Sequence, residues 1–262
     1  MNTEKTIENW RTAIATADDK HIWIHGYDVT DLMTQANFTD TIFLLHRGRL
    51  PNHGERRILD AILIAVADHG AGAPSCAAAR LAASGNRQSP SAAVAAGILA
   101  IGDEHGGAGS ASMELIAWGV EMARRESVSI EEAARRMAMD AKANKKRLPG
   151  LGHRYHSTDP RKAVLFRIAA ESSVAGDGVK FMDALERTAT EIIKPLPMNV
   201  DGALAAILYD LGFPPLFGKL IFIMGRVAGL TAEVAEEYTR EKAMRIRIPV
   251  IYDGVPPRQI ER

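Results

Sequence analysis

The chain has 262 residues, 47% hydrophobic and 24% charged, the composition of a globular protein large enough to bury a core without disulfide or metal staples. Lysine plus arginine balance aspartate plus glutamate at 32 each, so no basic excess points to nucleic acid or an anionic membrane surface. The single cysteine, Cys76, excludes an intramolecular disulfide and, within APSCAAARLAA, reads as a buried structural thiol.

The N-terminal stretch MNTEKTIENWRTAIAT has no apolar core of a secretory signal, and no apolar run is long enough to span a bilayer, so a cytoplasmic protein is expected. Residues 21–24 read as a short strand and Gly26-Tyr27-Asp28 as a turn. Beyond them helix follows helix. Ser89 before Pro90 marks one N-terminus, and Ser129 with Glu132 three positions on has the pattern of a capping box. Phe181, Leu185, Thr188 or Ala189, and Ile192 recur at helical spacing, as do Ile207, Leu208 and Leu211. Thr231 is placed to cap a last helix over AEVAEEYTREKAM. The pattern predicts an all-α chain of ten or more helices.

Glycine-rich breaks interrupt it at GDEHGGAGS (102–110) and LPGLGHRYHSTDPR (148–161), where function is to be sought. His105 is followed by two glycines that would let a ligand approach the main chain. His153 lies in a polar loop beside Gly152, and Asp201 is a lone carboxylate heading an apolar helix, where it could also be only a cap.

GDEHGGAGS, GLGHRYHSTDPR and NVDG, in that order, resemble the signature segments of the citrate synthase superfamily. IHGYDVTDL with LLHRGRLP, VADHG, MGRVAGL and RIPVIYDG resemble further family segments, so the likeness runs from about residue 21 to 254. It implies a citrate synthase-like all-α fold, with a large helical domain formed by residues 1–105 and 206–262. A smaller subdomain, approximately 106–205, would be inserted between them. It also implies roles. His105 would hydrogen-bond the thioester carbonyl, Asp201 would move the α-proton, and His153 would act on the hydroxyl or carbonyl of the oxo-acid half, with His69 helping to bind that oxygen. Arg161, Arg226 and Arg247 would hold substrate carboxylates, since an arginine fork grips a carboxylate bidentately. The loop carrying Lys145, Lys146, Arg147, Gly150, Leu151 and Gly152 would lie against coenzyme A.

The short chain, the glycine after His69 in VADHG, and NVDGALAAILYDLGF resemble the citryl-CoA lyase branch, which includes the C-terminal portion of ATP-citrate lyases. His105 itself matches the synthase histidine, keeping citrate or 2-methylcitrate synthesis as the alternative. The resemblance implies no permanently bound cofactor, a coenzyme A thioester and a 2-oxo acid as small-molecule partners, and a homodimer or larger homo-oligomer. Outside this chemistry stand a metal-dependent hydrolase, for which HExxH, HxH and paired-cysteine spacings are missing, and a non-catalytic CoA-binding module, which would need no His105, His153 and Asp201 together.

Overall fold

The computed structural model describes residues 11–152 and 159–260. Three short antiparallel strands open the chain: β1 (Ala15–Ala17), β2 (Ile22–Ile24) and β3 (Tyr27–Asp28), with Ala15 opposite Ile24 and Trp23 opposite Asp28. The turn between β2 and β3 is formed by His25 (φ 45°) and Gly26 (φ 83°), the two-residue geometry that matches strand twist. Tyr27 and Asp28, expected as turn, therefore begin the return strand. β1 was not legible, because its three residues ATA are all exposed and show no alternation.

Eleven helices follow among the described residues: α1 (Val29–Gln35), α2 (Phe38–Arg47), α3 (His53–Ala67), α4 (Pro74–Gly85), α5 (Pro90–Leu99), α6 (Ala108–Arg125), α7 (Ile130–Ala143), α8 (Pro160–Glu171), α9 (Asp177–Ile192), α10 (Val200–Asp210) and α11 (Phe217–Arg240). Ser89 caps α5 and Ser129 caps α7 as their sequences indicate. The capping box at Ser129 is only half formed, because the Glu132 carboxylate bonds Arg136 one turn on. Thr231 starts no helix. It lies inside the continuous α11, whose buried Leu230 and Val234 carry the apolar stripe past it.

The chain divides into two compact units. Residues 1–68 and 101–228 form the first, and residues 69–100 and 229–262 the second. The expected subdomain at 106–205 lies wholly inside the first unit, where α3 from the N-terminal part packs against α8 and α10. The centre of this unit is α10, of which Ala203–Leu208 are fully buried against α6, α8 and α9. Asp210, the last residue of α10, accepts the free amides of Gly176, Gly178 and Val179 at 2.7, 2.7 and 3.0 Å, so it caps α9, which has no side-chain cap of its own. In the second unit α4 and α5 form a hairpin packed on the later turns of α11 through Cys76, Ala79, Ala83, Ala93, Leu230 and Val234. Cys76 is buried and in no disulfide. No helix among the described residues is long and apolar enough to cross a membrane.

Candidate active site

The site in the first unit is organised by the C-terminus of α3. The last turn of α3 has no basic residue, and its open carbonyls are met by arginines from distant segments. Arg161, in the first turn of α8, donates through Nη1 to the Ala65 carbonyl at 3.1 Å. Arg226, on α11, donates through Nε to the adjacent Val66 carbonyl at 2.9 Å. The two arginines are thereby gathered at adjacent carbonyls, Ala65 and Val66, where α3 runs into the VADHG segment.

Asp159 locks this arrangement to the head of α10. It is buried, caps α8, and takes a bidentate pair from Arg161, Nε to Oδ1 at 2.9 Å and Nη2 to Oδ2 at 2.8 Å. The amide of Val200 also donates to its Oδ2 at 3.1 Å. The cap of α10 is Asn199, whose side chain accepts from Gly202 N at 3.1 Å and donates to the Gly152 carbonyl at 2.9 Å. Asp201 is therefore no cap. It sits two positions further in than the cap Asn199, and its Oδ1, closed to solvent, has no hydrogen-bond partner among the described residues. Burial raises its pKa to about 6 against the downward pull of Arg161 and Arg226, with Asp159 adding to the rise.

His105 closes a tight loop by exchanging backbone hydrogen bonds with Gly102, His105 N to Gly102 O at 2.9 Å and Gly102 N to His105 O at 3.0 Å. Its ring meets Phe222 edge-on with centroids 6.4 Å apart, and the Arg226 guanidinium lies 5.0 Å from the same Phe222 centroid. Phe222 thus connects the histidine to the arginine side of the site. It also explains the glycines differently from the sequence: a Cβ on Gly106 would stand 2.2 Å from Phe222 Cε1, and one on Gly107 would stand 2.5 Å from the Gly102 carbonyl oxygen. Internal packing by itself requires glycine at both positions.

The loop after α7 docks on the same helix start. Asn199 N donates to Gly150 O at 3.0 Å, Gly152 N to Pro197 O at 2.7 Å, and Leu151 bridges to Met198. Lys145, Lys146 and Arg147 are exposed on it; Lys146 pairs with Asp140 at 3.1 Å and Arg147 with Glu104, next to His105, at 2.7 Å. His153 lies outside the described residues. His69, just after α3, and Arg247, beyond α11, belong to the second unit and are exposed. Sequence reasoning missed Asp159, Asn199 and Phe222. The Asp-Pro pair ahead of α8 is a legible cap signal, whereas nothing local marks Phe222.

Residues 52–247 match the profile of the citrate synthase C-terminal domain. The chain belongs to the citrate synthase family. A solved citryl-CoA lyase from Hydrogenobacter thermophilus superposes with a TM-score of 0.87 at 38% identity, covering 96% of this chain and 97% of that one. Among curated relatives, 2-methylcitrate synthase of Shewanella oneidensis is 30% identical over 84% of this chain and 56% of its own length. Glyoxysomal citrate synthase of Cucurbita maxima is 29% identical over 82% and 42% respectively. The chain thus spans about half the length of these two curated relatives.

Proposed function

We propose that this family member cleaves citryl-CoA, or a close 3-hydroxy-acyl-CoA, to acetyl-CoA and a 2-oxo acid such as oxaloacetate. The observation that carries the reading is Asp201: a carboxylate with a sealed oxygen that has no hydrogen-bond partner among the described residues, and a pKa raised to about 6 by burial against the pull of Arg161 and Arg226. Such a group is poised to carry a proton in either direction near neutral pH.

In this reading His153 takes the proton of the tertiary hydroxyl, whose oxygen His69 helps to hold. The bond from the carbinol carbon to the methylene carbon breaks, leaving a carbonyl on the oxo acid. The electron pair of the broken bond becomes a thioester enolate, and His105 donates to its oxygen. One such preorganised donor is worth about 3–4 kcal/mol in comparable sites. Protonated Asp201 then delivers its proton to the methylene carbon, completing acetyl-CoA. Arg161, Arg226 and Arg247 hold the carboxylates, and Lys145, Lys146 and Arg147 meet coenzyme A phosphates beside the backbone of Gly150, Leu151 and Gly152. The exposed apolar side chains beyond α11, Ile251 among them at 91% exposure, support assembly into a homodimer or larger oligomer.

The reverse condensation, as in a citrate or 2-methylcitrate synthase, is the second reading, favoured by the histidine at position 105. Product analysis separates them. Citryl-CoA converted to acetyl-CoA and oxaloacetate supports the lyase; release of free CoA and citrate supports the synthase; no turnover in either direction defeats both.

A further inference from the structure

The second unit contains a buried ion network outside the site described above. Glu237, in the penultimate turn of α11, is completely buried. Arg80 of α4 faces it, Nε to Oε2 at 3.2 Å, but Arg80 also serves Glu233 and Glu236. The second cation comes from beyond the helix: Arg245 donates Nε to Oε1 at 3.0 Å and Nη2 to Oε2 at 2.6 Å. A carboxylate shut from water requires such a partner.

The same arginine tethers the chain leaving α11. Upstream, Arg87 donates to the carbonyls of Glu237, Tyr238 and Glu241, and Met244 N bonds Ser84 O at 3.0 Å. Met244 turns the chain with a left-handed φ of 58°. Ile246 is still partly buried, and from Arg247 on the chain is exposed, with Ile248 at 67% and Val250 at 83%. Arg247 stands two residues past the tether, so its Cα lies within about 7 Å of that of Arg245.

We infer that Glu237, acting through Arg245, is a positioning residue for Arg247, aiming it at a carboxylate of the oxo-acid half. This rests on the assignment of Arg247 proposed above. Arg245 is the better residue to vary, because it is partly exposed and its loss leaves Glu237 paired with Arg80. Binding of oxaloacetate and of CoA is measured by calorimetry on the full chain, alongside melting temperature. Arg245→Gln is expected to weaken oxaloacetate about 10-fold, or about 1.4 kcal/mol, with CoA unchanged. Arg245→Lys should restore most of the loss. Arg247→Ala should bind at least as weakly, and the double variant no more weakly than Arg247→Ala alone. If Arg245→Gln binds oxaloacetate normally while Arg247→Ala does not, the positioning role is wrong and the Arg247 assignment stands. If Arg247→Ala is itself silent, that assignment fails and takes this inference with it. Parallel loss of CoA and oxaloacetate binding with a lowered melting temperature would mark Arg245 as merely structural and overturn the proposal.

Discussion

Asp201 carries a pKa raised to about 6 by burial, and this has opposite consequences for stability and for turnover. The unfolded chain titrates this group near 3.8. Between that value and about 6 the folded chain holds a proton that the unfolded chain has released. The stabilising contribution is therefore complete below the window and is lost as pH rises through it. At neutral pH the ionised group costs the fold about 3 kcal/mol, at about 1.36 kcal/mol per pH unit. Asp201→Asn removes that charge while the Asn199 cap stays in place. The variant should melt above the wild type at pH 7.5 and close to it at pH 4, while turnover falls about 100-fold or more because an amide moves no proton. Near-normal turnover would refute the proton-transfer role. The arginines separate in a similar way. Arg226→Lys and Arg161→Lys both lose the fork, and oxaloacetate should bind about 10- to 150-fold more weakly, from about 1.5–3 kcal/mol for a charged hydrogen bond. Arg161→Lys should in addition lower the melting temperature without substrate, since its fork also holds Asp159. Intact oxaloacetate binding in both folded variants would defeat the substrate assignment, whereas CoA binding is expected to change in neither.

At the scale of elements, the head of α10 is where three segments meet. The loop from α7 presses Gly150 against it, Asp159 of α8 receives the Val200 amide, and Asn199 ties the Gly152 carbonyl to the helix. Gly150 has φ +81°, and a Cβ there would stand 2.6 Å from the Gly202 Cα. Backbone cannot retreat as a flexible side chain can, so Gly150→Ala combines a left-handed strain with a collision. It should cost about 2 kcal/mol or more of stability. Because the displaced neighbour adjoins Asp201, kcat should fall with it, and the alkaline limb of the pH–rate profile for cleavage, where Asp201 loses the proton it delivers, should move down toward the ordinary carboxylate range as water reaches Oδ1. A Gly150→Ala variant with wild-type melting and rates would show that this docking does not hold the site.

At the scale of the molecule, the chain beyond α11 exposes Ile248, Val250, Ile251 and Tyr252, an unusual amount of apolar surface for one stretch to leave in water. The proposed homo-oligomer would cover it, and light scattering on the purified chain should return a multiple of 28.4 kDa. A monomer with full activity would rule out an arm shared between copies. Truncation after Arg245 should shift the assembly toward monomers and weaken oxaloacetate, whereas a truncated chain that assembles normally would place the interface elsewhere.

Much of this protein was determined by short stretches of sequence. Helices follow from apolar spacing, and the starts of α5 and α7 follow from Ser89 and Ser129, because each depends on residues within a turn or two. The motif histidines and Asp201 could likewise be named from their segments, and the family likeness they carry matches the profile over 52–247. Other features came only from tertiary packing. Thr231 reads as a cap locally, yet Leu230 and Val234 bury against the α4–α5 hairpin and carry the helix through it. Arg161 and Arg226 meet because two adjacent carbonyls at the end of α3, 96 and 160 positions away in sequence, accept from them. The pKa of Asp201 is equally non-local. A sequence shows that a carboxylate is present, but its proton affinity is set by how much water and which charges surround it, and only the packed chain decides that.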